Sequence, residues 1–297
     1  MSTISVNFIG CGRLGKTLAK LFKINQISVI KGVITTSLAR ANEAVQQIGE
    51  GSACQTIREL PPADIYFITT PDDLIQGMCE ELVSARLIKA GAIVVHCSGL
   101  LSSDVLKSAK KAGYSIASLH PIKSFAQLDE NIASFAGTYC GVEGDLEAVS
   151  VLTHLFKSIG GNVFHISKEN KSLYHAACVI ANNYLVTLHY QASQCLHAAS
   201  VDEQIAKEIV SMLMMNSLTH LQKLNHQAAL TGPLQRGDVN TIKIHLESLS
   251  KTPLIHDIYS QLGIATLALT KHSEEKIEEL DIILNEEVKN DVIKSNH

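Results

Sequence analysis

Residues 10–15, Gly10-Cys11-Gly12-Arg13-Leu14-Gly15, decide the fold of this chain. An apolar run precedes them, and apolar residues at helical spacing follow. Strand, glycine turn and helix in this order form the G-x-G-x-x-G fingerprint of a dinucleotide-binding unit. In that motif the first glycine permits the tight turn, and the second lets the backbone approach a pyrophosphate. The third lets the helix pack closely on the strand, and the helix N-terminus favours phosphate charge.

Beyond this motif, the first half of the chain alternates short apolar strands with amphipathic helices up to Ile166. Such alternation predicts an α/β fold, here an N-terminal Rossmann domain with a doubly wound, mostly parallel sheet. From Ser167 onward no strand pattern recurs, which predicts an all-α C-terminal domain. The expected domains are therefore residues 1–166, binding a dinucleotide, and residues 167–297, serving substrate binding or dimerisation.

Composition narrows the class of protein. The 297 residues are 46% hydrophobic and 18% charged, as in a globular chain. A net charge of −4 without a basic block argues against nucleic-acid binding, and no apolar run is long enough to span a membrane. Seven dispersed cysteines without a C-x-x-C pair, and no targeting pattern, predict a cytoplasmic protein with reduced thiols. The histidines and cysteines lack the spacing of a zinc site, so no metal is expected.

The end of the second predicted strand indicates which dinucleotide binds. An NAD site usually has a carboxylate about 20 residues after the glycines, but this position reads Thr35-Thr36-Ser37. Arg40 follows in the next helix, and hydroxyls with an arginine suit a 2′-phosphate. NADP(H) is therefore expected, with a solvated Arg40 as the alternative. The predicted cofactor-binding residues are Gly10, Cys11, Gly12, Arg13, Leu14, Gly15, Thr35, Thr36, Ser37, Arg40, Thr69, Thr70, Pro71 and Ser98.

Two histidines end predicted strands. His96 ends the fourth and His120 the fifth, and ligands of open α/β sheets bind at the carboxyl ends of strands. Imidazole titrates near neutral pH, so either could exchange a proton with a substrate. The alternative is that both bond to loop backbone. Lys123 lies close to His120 in sequence and is expected to hold an anionic substrate.

Further polar candidates lie after residue 166. Lys171, His175 and Asn182 fall near one line of a predicted long helix, and a polar line needs partners or a wet cleft between the domains. These groups could instead satisfy each other in a helical core. Arg236 could clamp a carboxylate, with Asp238 beside it, or the two could form a salt bridge that shapes their loop.

Several stretches carry a resemblance that covers nearly the whole chain. It resembles a family of candidate NADP oxidoreductases that join a Rossmann-like domain to a helical C-terminal domain of unknown function. The matching stretches are His96-Cys97-Ser98-Gly99, Leu119-His120-Pro121-Ile122-Lys123-Ser124-Phe125, Val142-Glu143-Gly144-Asp145, Tyr174-His175-Ala176-Ala177, Asn183-Tyr184-Leu185-Val186, Leu230-Thr231-Gly232-Pro233 and Arg236-Gly237-Asp238.

The layout is also similar, more distantly, to ketopantoate reductase, pyrroline-5-carboxylate reductase and the 3-hydroxyacid dehydrogenases. In several of these a lysine and asparagines on the first long C-terminal helix hold the reacting oxygen, and here His175 and Asn183 stand at the comparable places. Helical geometry favours Asn182 instead. His120-Pro121 is similar to the His-Pro of prephenate dehydrogenase, whose histidine meets the substrate hydroxyl, but Lys123 replaces that family's glycine.

Together these observations predict an NADP-dependent oxidoreductase, with hydride passing between the nicotinamide and a small carboxylate-bearing carbonyl, imine or hydroxy substrate. The expected catalytic residues are His120, His175 and Asn182 or Asn183, and the expected substrate-binding residues are Lys123, Arg236 and Asp238. The alternative is an NADP(H)-binding redox sensor without turnover. The apolar helices predict a homodimer.

Overall fold

The computed structural model describes residues 4–86 and 89–286. An eight-stranded sheet is the main feature of the first part of the chain, in the order β3-β2-β1-β4-β5-β6-β7-β8. The strands are β1 Ile4–Ile9, β2 Ser28–Ile34, β3 Ser52–Cys54, β4 Ile65–Ile68, β5 Ile93–His96, β6 Ser115–Pro121, β7 Tyr139–Gly144 and β8 Asn162–His165.

All neighbouring strands run parallel except β6 and β7. The order of strands reverses between β1 and β4, which is the switch point where doubly wound sheets bind ligands. The predicted Rossmann fold with a mostly parallel sheet is therefore confirmed. The antiparallel pair arises because residues 122–138 return to the edge they left, so that the Ile122 N–H donates to the Tyr139 carbonyl at 2.8 Å.

Helices cover both faces of this sheet. They are α1 Arg13–Ile24, α2 Leu38–Ile48, α3 Asp72–Ser84, α4 Lys107–Lys111, α5 Leu128–Ala133, α6 Leu146–Lys157 and α7 Lys171–Cys178. One face buries stacked aromatic rings, among them Phe8 and Phe67 at 5.2 Å between centroids, and the other buries a separate apolar cluster around Tyr66 and Val94. Burial on both faces explains why the central strands read as continuous apolar runs.

Helices follow without a further strand in the described residues beyond β8. A π-helical stretch, Val179–Asn183, separates α7 from α8. The remaining helices are α8 Tyr184–Ala198, α9 Glu203–Leu221, α10 His226–Ala229, α11 Pro233–Arg236, α12 Val239–Leu249, α13 Pro253–Leu267 and α14 Glu274–Leu284. The helical second part is therefore confirmed, while the predicted end of the last helix, near Asn290, lies outside the described residues.

Short elements account for most local errors of prediction. The sequence pattern predicts neither strand β3 nor helix α5, and it predicts a polar loop over residues 231–238, where the structure has the single turn α11. Elements of three to six residues are too short to show a hydrophobic period. The chain divides into two compact units, Met1–Asn182 and Asn183–His297. The first unit thus extends beyond the boundary at residue 166 that the sequence pattern predicts.

Candidate active site

The glycine turn joins β1 to α1 and has little room for side chains. Gly10 adopts φ +83°, and a Cβ atom there would lie 2.4 Å from Thr70 Cγ2 and 2.7 Å from the Thr70 nitrogen. At Gly15 a Cβ atom would lie 2.6 Å from Thr69 Oγ1. Both glycines therefore let α1 and the turn pack against the end of β4, as the fingerprint predicts.

Gly12 differs from these two glycines, because no atom lies within 4 Å of a Cβ built on it. It precedes α1 directly and lines an open cleft of about 870 Å³. Helix N-termini present unpaired N–H groups and a favourable dipole to anions. The glycine at this position thus leaves space beside a feature that suits a pyrophosphate.

This cleft, termed the dinucleotide cleft, lies at the carboxyl ends of β1, β2 and β4. It is lined by Ile9, Gly10, Cys11, Gly12, Arg13, Lys16, Ile34, Thr35, Thr36, Arg40, Glu43, Ala44, Gln55, Thr56, Ile57, Thr69, Thr70, Pro71, Leu74, Met78 and Glu81. Ten of the predicted cofactor-binding residues are among these. The lining residues that sequence reasoning missed, such as Lys16, Gln55 and Met78, come from segments that no motif marks.

Four predicted cofactor-binding residues do not line the cleft. Leu14 packs against the apolar core, and Gly15 contacts Thr69. Ser37 caps α2, its hydroxyl accepting the Arg40 N–H at 3.3 Å. Ser98 Oγ donates to Asp72 Oδ2 at 2.7 Å and accepts the N–H groups of residues 100 and 101, so its hydroxyl shapes the turn after β5.

One corner of the dinucleotide cleft is basic. Arg40 Nη1 donates to Thr36 Oγ1 at 3.1 Å, which fixes the guanidinium beside the end of β2. Arg13 and Lys16 also line the cleft. Glu43 follows Arg40 by one helical turn and lines it too, so the corner carries both signs of charge with cations in excess.

The cleft has the properties that a nicotinamide dinucleotide requires. Its volume falls in the range of cofactor sites, roughly 300–1,000 Å³. Thr70 Oγ1, which belongs to a lining residue, is buried without a hydrogen-bond partner in the described structure. Buried hydroxyls are normally paired, so this one indicates a polar ligand group on that side. Gly12 and Arg40 provide the space and the charge.

A second group of side chains lies at the ends of β5 and β6. His120 Nδ1 lies 2.8 Å from the Tyr174 hydroxyl, and the His120 and His175 ring centroids are 6.1 Å apart. A Cβ atom on Gly99 would lie 2.6 Å from His175 Cδ2 and 3.0 Å from His120 Nε2. These four residues, Gly99, His120, Tyr174 and His175, are termed the histidine cluster.

The surroundings of the histidine cluster keep His120 neutral. Burial lowers the His120 pKa to about 4, assisted by the positive charge of Lys171 and by His175. The pKa of Tyr174 is raised well above its usual range, mainly by burial, so the phenol stays protonated. At neutral pH an uncharged imidazole therefore faces an uncharged phenol.

His96 performs a structural role. It is fully buried, its Nε2 lies 3.1 Å from the Ser102 carbonyl, and its Nδ1 accepts the Ser98 N–H at 3.2 Å. Burial lowers its pKa to about 3. The alternative of a loop-bonding histidine is thus the arrangement observed here.

Lys171, which the sequence pattern marks only as a polar position on a helix, is buried near the histidine cluster. Its Nζ donates to the Ser98 carbonyl at 2.9 Å and to Ser118 Oγ, and it lies 3.9 Å from Glu143 Oε1. Burial lowers its pKa to about 8, against the raising effect of Glu143. No local sequence signal separates such a buried lysine from an exposed one on the same helix.

The other predicted site residues of the first unit lie nearby in sequence but make different contacts. Asn182 Nδ2 donates to Ser124 Oγ at 3.1 Å. Lys123 follows β6 and is half-buried. Asn183 is exposed at the start of α8, in the second unit, and makes no capping hydrogen bond with its side chain.

Arg236 and Asp238, also in the second unit, pair with each other. The Arg236 Nε and Nη2 atoms lie 2.8 Å and 2.7 Å from Asp238 Oδ2. This is the loop-shaping salt bridge given as the alternative to a carboxylate clamp. Both side chains remain substantially exposed, so the pair is weak enough to exchange partners.

Across residues 4–86 and 89–286, no group of three or more histidine, cysteine, aspartate and glutamate residues could hold a metal ion. The helices of those same residues include none with the length and apolarity needed to cross a bilayer.

Comparison with known proteins agrees with this architecture. Residues 1–121 match the Rossmann-like domain, and residues 138–266 match a domain of unknown function, DUF2520. The comparison with curated proteins found no match.

Among solved structures, protein TM1727 from Thermotoga maritima is 27% identical, with a TM-score of 0.70 over 92% of this chain and 98% of that one. The candidate NADP oxidoreductase BF3122 from Bacteroides fragilis is 20% identical, with a TM-score of 0.73 over 89% and 98%. Pyrroline carboxylate reductase from Plasmodium falciparum, solved with NADP bound, is 14% identical, with a TM-score of 0.59 over 95% and 99%. The predicted resemblance is confirmed: the chain combines a Rossmann-like domain with a DUF2520 domain.

Proposed function

We propose that this protein is an NADP-dependent oxidoreductase acting on a small carbonyl, imine or hydroxy substrate that bears a carboxylate. The observation that carries the proposal is the pairing of two features on one sheet edge. The dinucleotide cleft lies at the carboxyl ends of β1, β2 and β4, and His120 lies at the carboxyl end of β6. The similarity to BF3122 and to pyrroline carboxylate reductase agrees with this class.

The cofactor is assigned from the basic corner of the cleft. Gly10, Gly12 and the N-terminus of α1 would hold the pyrophosphate, and Thr36 with Arg40 would hold a 2′-phosphate. The nicotinamide supplies hydride exchange when bound. The hydrogen bond to Thr36 already orients the Arg40 guanidinium, which lowers the side-chain entropy lost on binding.

The proton that accompanies hydride exchange is assigned to Nε2 of His120. When Nδ1–H donates to the Tyr174 oxygen, Nε2 is an acceptor for the proton of a substrate hydroxyl. The imidazolium formed in that step returns the proton from Nε2 to a substrate carbonyl or imine in the reverse direction. Tyr174 thereby selects the neutral tautomer that leaves the lone pair on Nε2. His175 is assigned to orientation or proton relay beside it.

Within the first unit, Lys123 is assigned to a substrate carboxylate and Asn182 to a substrate oxygen. Within the second unit, Arg236, with Asp238 orienting its guanidinium, is a separate candidate for a carboxylate, and Asn183 is the alternative for the oxygen. Carboxylate binding at Arg236 would exchange the Asp238 salt bridge for a two-point contact. Removing either cation should raise KM more than it lowers kcat, because binding rather than proton transfer is lost.

We further propose a homodimer, because α8 and α9 expose large apolar side chains that a second copy would cover. Examples are Val186, Tyr190, Met212 and Met215. Light scattering on the purified protein measures this directly. The cytoplasmic location stays a prediction.

A substrate panel tests the oxidoreductase. NADPH or NADP absorbance is followed with 2-oxoacids, 3-hydroxyacids and cyclic imines, and turnover of at least one class is expected. If none turns over while NADPH binding changes the oligomeric state, the redox-sensor alternative replaces the enzyme.

A further inference from the structure

Lys171 is among the most deeply buried residues of the protein, with 2% of its surface exposed. Lysine is almost never fully buried unless it is paired. Its Nζ has three partners, the Ser98 carbonyl, Ser118 Oγ and Glu143 Oε1. These partners lie on the turn after β5, on β6 and on β7, so a single ammonium joins α7 to three segments.

Glu143 completes this buried network. Its Oε1 accepts the Ser103 N–H and its Oε2 accepts the Ser103 hydroxyl, both at 2.7 Å. Glu143 lies opposite Ser118 across the antiparallel β6–β7 pair. Because both of its oxygens accept hydrogen bonds and it is 6% exposed, the carboxylate is held in one place as the counter-charge of Lys171.

The network is adjacent to the histidine cluster on two sides. On β6, Ser118 and His120 are two residues apart, so their side chains lie on the same face of the sheet, about 7 Å apart. On α7, Tyr174 and His175 follow Lys171 by three and four residues, which places all three on one face of the helix.

We propose that Lys171 is a positioning residue, which fixes α7 against the ends of β5 and β6 so that Tyr174, His175 and Gly99 enclose His120 in the arrangement needed for proton exchange. The catalytic part of this inference rests on the proposed oxidoreductase function. The structural part does not, because it concerns contacts within the protein itself.

The charges near His120 support this role. From α7 these are Lys171 and His175, with Tyr174 protonated. On β7, Gly141 lies opposite His120 and the Glu143 carboxylate lies opposite Ser118, while β5 carries the neutral His96. Lys171 lowers the His120 pKa in addition to burial. Its charge and its hydrogen bonds act together on the same imidazole.

The experiment is an NMR titration of the His120 imidazole in the full-length protein, which needs no substrate and no cofactor. The His120 resonance is assigned by its loss in His120→Asn. In Lys171→Met the His120 pKa is expected to rise by roughly one pH unit, because a nearby like charge that lowers it is lost. Lys157→Met, an exposed lysine on α6, is the matched control and should leave the pKa unchanged.

A second variant guards against unfolding. Lys171→Met with Glu143→Gln removes both buried charges, so no unpaired charge is left in the interior. It should still raise the His120 pKa, but by less than the single variant, because the loss of the Glu143 carboxylate acts in the opposite direction. An unchanged His120 pKa in either folded variant would overturn the proposal.

Turnover then separates this inference from the proposed function. With a substrate in hand, Lys171→Met should lower kcat at least tenfold while NADPH affinity changes less than twofold, because Lys171 does not line the dinucleotide cleft. Unchanged kcat with a shifted His120 pKa would refute the positioning role for catalysis. Absence of any substrate for the wild type would count against the proposed function alone, since the titration stands without it.

Discussion

The dinucleotide cleft and the histidine cluster share one sheet edge but are built in different ways. The cleft is formed largely by backbone, with Gly10 and Gly15 too crowded for side chains and Gly12 left open. The histidine cluster is formed by side chains that meet across long stretches of sequence, such as His120 and Tyr174, 54 residues apart. Substitutions that add side-chain atoms should therefore disrupt the cleft, whereas substitutions that remove a side-chain group should disrupt the cluster.

This difference predicts that the two regions fail separately. A change in the cleft should remove cofactor affinity and leave the protonation of His120 unaltered. A change in the cluster should alter proton transfer and leave cofactor affinity unaltered. The contrast is false if single substitutions in either region abolish both properties in a folded protein.

The largest effect is expected at His120. His120→Asn keeps polarity and approximate size but loses a group that exchanges protons, so kcat should fall by roughly 10²–10⁴-fold. NADPH affinity measured by calorimetry should stay within twofold. His154→Asn, on the exposed side of α6, is the control. Normal turnover in His120→Asn would remove His120 from the mechanism.

The next effect concerns Gly12. The Cβ atom of a valine at this position would contact no protein atom, but the side chain would occupy the space assigned to the pyrophosphate. NADPH affinity should therefore fall about 100-fold or more. The fold should survive, as judged by thermal unfolding. Gly77→Val is the matched control, because Gly77 also has no atom within 4 Å and lies on α3 outside the cleft lining. Wild-type affinity in Gly12→Val would place the ligand elsewhere.

A smaller effect is expected at Arg40, which sharpens the assignment of the basic corner. Loss of a charged contact to a 2′-phosphate costs about 1.5–3 kcal/mol, so Arg40→Ala should weaken NADPH about 10- to 100-fold and NADH little. Arg58→Ala, exposed and outside the cleft lining, should change neither. Equal affinities of the wild type for NADPH and NADH would contradict the NADP assignment.

The smallest effect is a pH dependence of stability at the histidine cluster. The pKa of His120 is about 4 in the folded protein against an ordinary 6.5, so the unfolded chain binds more protons between these values. The stabilisation linked to the lowered pKa of His120 is therefore fully present above pH 6.5 and is lost as the pH falls towards 4. Between pH 7 and 5 the wild type should therefore lose about 1–2 kcal/mol more unfolding free energy than His120→Asn, in urea titrations. Parallel pH profiles of the two proteins would show that His120 titrates normally.

The fold could be predicted because its signals are local. The glycine turn, its flanking strand and the helix after it lie within residues 4–24 and specify the first βα unit by themselves. The antiparallel β7 could not be predicted in this way, because its direction depends on how residues 122–138 return to the same edge. Helix α5 is too short to show a period, yet it packs on α1, with Asn131 Nδ2 donating to Thr17 Oγ1.

The candidate site was predictable only where position along a strand decides function. His120 follows from its place at the end of a strand, and nine cleft residues follow from the fingerprint and the strand ends, with Arg40 in the helix after β2 as the tenth. The contacts of Lys171 and Tyr174 could not be predicted, because the sequence of a helix does not indicate which of its side chains will bond to a carboxylate or an imidazole on a distant segment. Ser98 was assigned to the cofactor from its position, whereas its hydroxyl bonds within its own turn and to Asp72.

Long sequence separations such as the 73 residues between Lys171 and Ser98 also decide which region is completed first during synthesis of the chain. The last residue lining the dinucleotide cleft is Glu81, whereas the histidine cluster is incomplete until His175 has been made. At roughly 5–20 residues per second, the ribosome needs about 5–20 s for the intervening stretch. A nascent chain therefore carries every residue of its nucleotide cradle well before His120 gains a hydroxyl partner, so the capacity to bind precedes the capacity to move a proton.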